Sequence, residues 1–187
     1  VGKYDFKTKS DSETILALYQ EKGTDCVNDL DGMFAFAIFD EDTFMLARDP
    51  IGIKPLYYCF DGKRLIFGSE LKALLASKLI TKELNLESLS DYLTYLYIPA
   101  PKTIFSSCNK LPPAHYLSCS NKKCTTKEYW DLTFAPVENK SEKQWAEELL
   151  DILSHSIDQR MISEVPLGAF LSGGIDSSLV VALMTGL

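Results

Sequence analysis

Apolar and polar positions divide the chain into stretches of different period. After Ser10-Asp11-Ser12-Glu13, a Ser-x-x-Glu capping-box pattern, Ile15, Leu16, Leu18 and Tyr19 mark the start of a helix. The run Met33 to Phe39 is apolar without interruption. Read as a strand, it puts Phe34, Phe36 and Ile38 on one face and Met33, Ala35, Ala37 and Phe39 on the other, so both faces of its sheet should be covered. Asp40-Glu41-Asp42 then turns the chain into Phe44 to Arg48. Asp61-Gly62 is a two-residue hairpin signal between Leu56–Phe60 and Arg64–Phe67. Antiparallel hairpins buried under helices predict a layered α/β sandwich.

The stretch 81 to 140 is less regular. It predicts one helix near Leu86–Tyr95, followed by a proline-rich segment with Pro99, Pro101, Pro112 and Pro113. Asp131 to Lys140 is polar, carries Pro136 and reads as a linker between domains. Ser141-x-x-Gln144 is a second capping box, and Trp145, Leu149, Leu153 and Ile157 follow at helical spacing. Val165 to Leu171 reads as a buried strand and Ser177 to Met184 as a helix. A lone strand-turn-helix unit leaves its strand unpaired, which points to a larger parallel sheet and a longer polypeptide.

Composition narrows the classes. The 187 residues are 46% hydrophobic and 24% charged, with 19 Lys and Arg against 26 Asp and Glu. A net charge of −7 without a basic stripe argues against nucleic acid or an anionic membrane as partner. Met33 to Phe39, the longest apolar run, is too short to span a bilayer. Cys26, Cys59, Cys108, Cys119 and Cys124 form no C-x-x-C pair, and neither His115 nor His155 stands in a ligand-like pattern beside them. A zinc site is therefore not expected, and five thiols without a role in a reduced, cytoplasmic setting are.

The chemistry is concentrated in Ser172-Gly173-Gly174-Ile175-Asp176-Ser177-Ser178, between the expected strand and helix. Two glycines allow a sharp turn and close approach to a ligand. The following helix would aim its unpaired N–H groups and positive dipole end at the loop. With the serine hydroxyls these make a pocket for an anion such as pyrophosphate. Asp176 cannot itself welcome phosphate oxygens, so a bridging Mg²⁺ is its reasonable task. The loop lacks the lysine of G-x-x-x-x-G-K-[ST] and does not fit G-x-G-x-x-G. The bland alternative, a Gly-Gly turn merely capping a helix, suits an isolated G-G-x-D better than this whole string.

SGGIDSS resembles the pyrophosphate loop of ATP-pyrophosphatases of the asparagine-synthetase type. The segments around Ser10 to Tyr19, DLDGMFAFAIFD (29–40), ARDPIGIKPLYY (47–58), FGSELKALL (67–75) and Pro99 to Leu117 are similar to the same family, although Ala114 stands where the family usually has Gly. The resemblance implies part of an αββα Ntn-type glutaminase sandwich over 1–130, a linker over 131–140, and over 141–187 the first strand-loop-helix of a parallel α/β ATP-pyrophosphatase domain. It implies glutamine, aspartate and ATP as substrates and Mg²⁺ as cofactor, and leaves a homodimer open. An enzyme of this kind hydrolyses glutamine at an N-terminal cysteine, activates a carboxylate as its adenylate with release of pyrophosphate, and lets ammonia displace AMP.

By the same resemblance Asp11 binds the α-amino group of glutamine; its bland alternative is a first-turn carboxylate favouring the helix dipole. Ser172, Gly173, Gly174, Ile175, Asp176, Ser177 and Ser178 hold pyrophosphate, with Asp176 on the metal, and the main chain of Phe170 or Leu171 touches adenosine. Arg48, Asp49 and Lys54 read as a turn scaffold. No cysteine stands at position 1 and none of the five matches the nucleophile, so these 187 residues alone are expected to be inactive in both half-reactions. Two other readings remain: a related amidotransferase acting on another carboxylate (surface-polysaccharide, secondary-metabolic or β-lactam-forming), and a non-catalytic binding module.

Overall fold

The computed structural model describes residues 4–41, 43–121, 123–135 and 139–186. Asp42, in the expected first turn, and Pro136, in the expected linker, lie outside them. The chain forms two compact units, Val1–Thr133 and Phe134–Leu187.

In the first unit, α1 (Asp11–Lys22) leads through a 3₁₀ turn (Gly23–Asp29) to the hairpin β1 (Ala35–Asp40) and β2 (Thr43–Arg48). A second hairpin, β3 (Tyr57–Phe60) and β4 (Leu65–Gly68), is followed by α2 (Leu71–Ala76) and α3 (Leu86–Tyr95). The short β5 (Asn109–Lys110) precedes a third hairpin, β6 (His115–Ser120) and β7 (Lys123–Glu128). Two antiparallel sheets result, ordered β1-β2-β6-β7 and β4-β3-β5.

Side-chain alternation stacks them. On β2, Phe44 and Leu46 face the second sheet, where Leu46 and Leu117 meet Leu56 and Leu111. Met45 and Ala47 face the other way, onto Leu18 of α1 and Cys26 and Val27 of the 3₁₀ turn. The outer face of the second sheet, with Cys59, is covered by Leu74 of α2. The order is helix, sheet, sheet, helix: the αββα sandwich that the sequence predicts.

Several expectations need correction. The doubly covered strand is β2, with Met45, Leu46 and Ala47 fully buried, while β1 lies at a sheet edge and leaves Phe39 76% exposed. The strand also starts at Ala35 rather than Met33. Asp61-Gly62 does not close a two-residue hairpin. Phe60 pairs with Leu65, and Asp61 Oδ1 accepts from the N–H of Lys63 at 2.9 Å and of Arg64 at 2.7 Å, so four residues make the turn. At α1, Ser10 caps as expected, its Oγ accepting from Ser12 N at 3.3 Å. Glu13, however, reaches past it to accept from the N–H groups of Lys7 at 2.8 Å and Thr8 at 2.7 Å, because Thr8 Oγ1 already accepts from Ser10 N.

The segment taken for irregular hides a hairpin. In the β6–β7 register Cys119 stands opposite Cys124, with Cα atoms 4.1 Å apart, and the two form a disulfide. This overturns the expectation of five free thiols; Cys26, Cys59 and Cys108 alone are free, all buried.

Ala114 leads into β6 with φ +56°, in the left-handed region, and is 4% exposed. An L side chain there costs about 1 kcal/mol relative to glycine. Ala114→Gly is expected to stabilise the unit by roughly 0.5 kcal/mol, the relief exceeding the lost methyl burial and gained unfolded-state entropy. Chemical denaturation of the two forms would check this.

The second unit contains α4 (Glu142–Arg160) and α5 (Ile175–Gly186), which lie against each other. The capping box at α4 is complete, with Gln144 N donating to Ser141 Oγ and Ser141 N to Gln144 Oε1. The strand expected over 165–171 is absent, and the helix begins at Ile175 rather than Ser177. A parallel strand needs neighbours to take its N–H and C=O groups, and Pro166 removes one donor. Val165, Phe170 and Leu171 accordingly stand 68%, 101% and 63% exposed.

Candidate functional site

Two candidate regions stand out, one in each unit. In the first, an open cleft of about 280 Å³ is lined by Asp11, Ser12, Phe34, Lys54 and Ser69 among others. Asp11 occupies the first turn of α1, where the Ser10 cap fixes the helix start. Its Oδ1 accepts from Ser12 N at 2.7 Å.

Other residues of the lining are organised by Asp49, 1% exposed at the end of β2. Its N–H donates to the carbonyl of Phe34 at 2.9 Å, tying down the entry to β1. Its Oδ1 accepts from Ile53 N at 2.9 Å and its Oδ2 from Lys54 N at 3.0 Å. One buried residue thus ties Phe34 through its backbone N–H and Lys54 through its carboxylate, and both line the cleft with Asp11. Arg48 completes the turn, with Nε, Nη1 and Nη2 donating to the carbonyls of Lys54, Leu111 and Gly52 at 2.8, 2.7 and 2.7 Å. Burial pushes the Arg48 pKa down while Asp49 and Tyr57 act to raise it. Tyr129 Oη donates to the Arg48 carbonyl at 2.7 Å.

Arg48 and Asp49 therefore scaffold the turn. The backbone of Lys54 belongs to that scaffold, and the residue is among those lining the cleft. Lys54, Ser69 and Phe34 are cleft residues that sequence reasoning did not single out for that place. Nothing local marks them, because long-range bonds from Asp49 and the return of β4 bring them together.

None of the five cysteines has the setting of a nucleophile. Cys26 and Cys59 are buried, and desolvation pushes both thiols up, the opposite of the activation that a thiolate needs. Cys108 is 2% exposed and Cys119 and Cys124 are joined.

In the second unit, Gly173 at φ +82° turns the chain into α5. Ser177 Oγ and Ser178 Oγ both donate to the Gly174 carbonyl, at 3.1 and 2.8 Å. Ser177 has then spent its hydrogen, so across the 2.9 Å separation of the two hydroxyls Ser172 is the donor. The three hydroxyls form a local chain that holds the loop closed on the helix start. The donors left for a ligand are the first-turn N–H groups of α5. Asp176 sits in that first turn. One carboxylate beside unpaired helix-start N–H groups is a donor set that would fit Mg²⁺, which takes one or two carboxylates and completes its shell with phosphate and water. Among the described residues, no group of three or more His, Cys, Asp or Glu is placed to hold a metal by itself. Also among the described residues, no helix is long and apolar enough to cross a membrane.

The model for the glutamine amidotransferase domain family matches residues 1–130, and that for asparagine synthase matches 148–187. The chain belongs to the glutamine amidotransferase domain family, and the asparagine synthase match follows on the same chain. It is 40% identical over 185 residues to a putative glutamine-hydrolysing asparagine synthetase of Methanocaldococcus jannaschii, covering 95% of this chain and 36% of that protein. It is 37% identical over 183 residues to a glutamine-hydrolysing asparagine synthetase of Bacillus subtilis, covering 96% of this chain and 29% of the relative. The chain thus spans about a third of the length of these relatives, 36% and 29%. Among solved structures, a glutamine phosphoribosylpyrophosphate amidotransferase from B. subtilis matches with a TM-score of 0.45 and 16% identity, over 100% of this chain and 40% of that one.

Proposed function

We propose that the protein is a glutamine-hydrolysing asparagine synthetase, with residues 1–130 in its glutaminase domain, 131–140 as linker and 141–187 opening its ATP-binding domain. The observation that carries this reading is the order of two matches on one chain, amidotransferase at 1–130 and asparagine synthase at 148–187. In it, Asp11 takes the α-ammonium group of glutamine in the cleft. Ser172 to Ser178 take the pyrophosphate portion of ATP at the start of α5, and the main chain of Phe170 or Leu171 touches adenosine. Asp176 would hold Mg²⁺, which supplies charge neutralisation for the phosphates. The glutaminase nucleophile is a cysteine other than the five in this sequence.

ATP answers a chemical need, since a carboxylate becomes a useful acyl donor only when one oxygen is made a good leaving group. Adenylation of aspartate releases pyrophosphate; ammonia from glutamine then displaces AMP and leaves asparagine. The soluble substrates suit the cytoplasm, where the Cys119–Cys124 bridge would be an exception to the usual reduced state.

The test is ATP–pyrophosphate exchange by the complete enzyme across a panel of carboxylates, with aspartate expected to support it. Exchange with another carboxylate instead would assign a related amidotransferase, and none with any carboxylate a non-catalytic module. In glutamine-dependent turnover, Asp11→Asn is expected to raise the KM for glutamine roughly 30-fold, the loss of one charge-assisted contact. An unchanged KM would remove Asp11 from the site.

A further inference from the structure

Cys26, Cys59 and Cys108 are buried, whereas the bridged Cys119 and Cys124 are half-buried. Both bridged cysteines line an open pocket of about 250 Å³, together with residues of the β3–β4 and β6–β7 hairpins. A thiol from solution can therefore reach this bridge.

As a staple the bridge adds little. It joins cysteines five apart in sequence, and so small a loop restrains the unfolded chain only modestly. The strands it joins are already paired in six positions, from His115 opposite Glu128 to Ser120 opposite Lys123. Reduction should leave the hairpin in register.

The surroundings of the bridge favour thiolate chemistry. Lys63, in the turn of the β3–β4 hairpin, is the charged member of the pocket's described lining, and its ammonium group makes no ion pair among the described residues. The acid of that turn, Asp61, is spent on Arg64, whose Nε and Nη2 donate to its Oδ2 at 2.9 and 2.8 Å. In the sequence, Lys122 and Lys123 immediately precede Cys124. Positive charge beside a sulfur stabilises its thiolate and makes it the better leaving group in exchange. The same charge draws in an anionic attacker.

We propose that Cys119–Cys124 is a thiol–disulfide exchange site for low-molecular-weight thiols that carry carboxylates, with Lys63 selecting the anionic ones. The incoming thiolate bonds to Cys119 Sγ as the Cys119–Cys124 bond breaks, and the electron pair leaves on Cys124 Sγ. The product is a mixed disulfide on Cys119. A second small thiolate attacks that adduct at the small molecule's own sulfur and releases the Cys119 thiolate. Two small thiols are thus oxidised to their disulfide, the protein bridge is reduced by two electrons, and the protons of the small thiols end on the two cysteines. Excess small disulfide drives the same steps backwards, so the pair follows the thiol–disulfide ratio around it.

The test exposes the complete protein to glutathione, whose carboxylates outnumber its ammonium group, and to cationic cysteamine, at equal thiolate concentration. Quenching with N-ethylmaleimide and mass spectrometry of the peptides bearing Cys119 and Cys124 give the rate of opening and the site of the adduct. Glutathione should open the bridge under native conditions with its first adduct on Cys119, and oxidised glutathione should restore the bridge. Lys63→Met should slow glutathione roughly threefold, the size of one exposed charge interaction, and leave cysteamine little changed. High salt should shrink that difference, and Lys63→Arg should keep the wild-type ratio. The Lys63 N–H donates to Asp61 Oδ1 at 2.9 Å from the main chain, so both variants keep the turn, and matching thermal melts check this. A bridge that opens only after denaturation, or thiols that stay free in oxidised glutathione, would overturn the exchange site. Equal slowing of both small thiols by Lys63→Met, or of neither, would overturn the selection by Lys63, and first adducts on Cys124 would overturn the direction of attack.

Discussion

Replacing Arg48 with methionine should destabilise the first unit by about 3–4 kcal/mol, the cost of removing a charged donor from several partly buried acceptors. The guanidinium serves three carbonyls at once, those of Gly52, Lys54 and Leu111. These belong to the turn after β2 and to the segment leading into β6, which are remote in sequence. Methionine fills much of the volume but donates nothing, so three acceptors lose their partner where water has limited access. For a unit of this size the loss corresponds to a fall in melting temperature of roughly 10 °C. Arg48→Lys should recover only a minor part, because one ammonium cannot span carbonyls set out for a planar fork. The two variants melted beside wild type decide the matter: if Arg48→Lys were as stable as wild type, charge rather than fork geometry would be holding the turn.

The same turn shows what the sequence could and could not disclose. A strand covered on both faces was legible, but it was read at Met33 to Phe39, whereas the strand buried on both faces is β2, where Phe44 and Leu46 alternate with Met45 and Ala47. Helix starts were legible from local chemistry at Ser10 and Ser141. The polar strand Lys123-Cys124-Thr125-Thr126-Lys127-Glu128 was not, since an edge strand facing solvent carries little apolar alternation. The disulfide went unseen for the same reason, as its two cysteines meet only through the register of that hairpin. The stretch 165–171 failed in the opposite direction. Its apolar residues read as strand, but a parallel strand is defined by partners that this chain does not place beside it.

Candidate sites divide in the same way. The loop at Ser172–Ser178 is contiguous, so its residue types and spacing display its chemistry directly. The cleft is assembled from α1, the approach to β1, the turn after β2 and the end of β4, and only its helical member could be picked out from sequence. Asp49 looked like an ordinary turn residue. Its function as the tie between Phe34 and Lys54 exists only in three dimensions.

Gly52→Ala should cost about 2–4 kcal/mol, close to the Arg48 effect and for a related reason. Gly52 has φ +72°, which for an alanine carries a penalty of about 1–2 kcal/mol. A Cβ built there would lie 2.8 Å from Pro113 Cγ, 3.1 Å from Arg48 Cζ and 3.2 Å from Arg48 Nη2. The first neighbour is a proline ring and the second is pinned by its three carbonyls, so neither yields cheaply. Relief requires moving the turn, and moving it lengthens the bond from Arg48 Nη2 to the Gly52 carbonyl. Gly62 supplies the internal control. Its φ is +85°, but a Cβ there would meet nothing within 4 Å. Gly62→Ala should therefore show only the backbone penalty, about 1 kcal/mol. Denaturant unfolding of the two variants isolates the steric part as their difference, expected near 1–2 kcal/mol from overpacking. Equal losses at the two glycines would mean that the turn gives way freely.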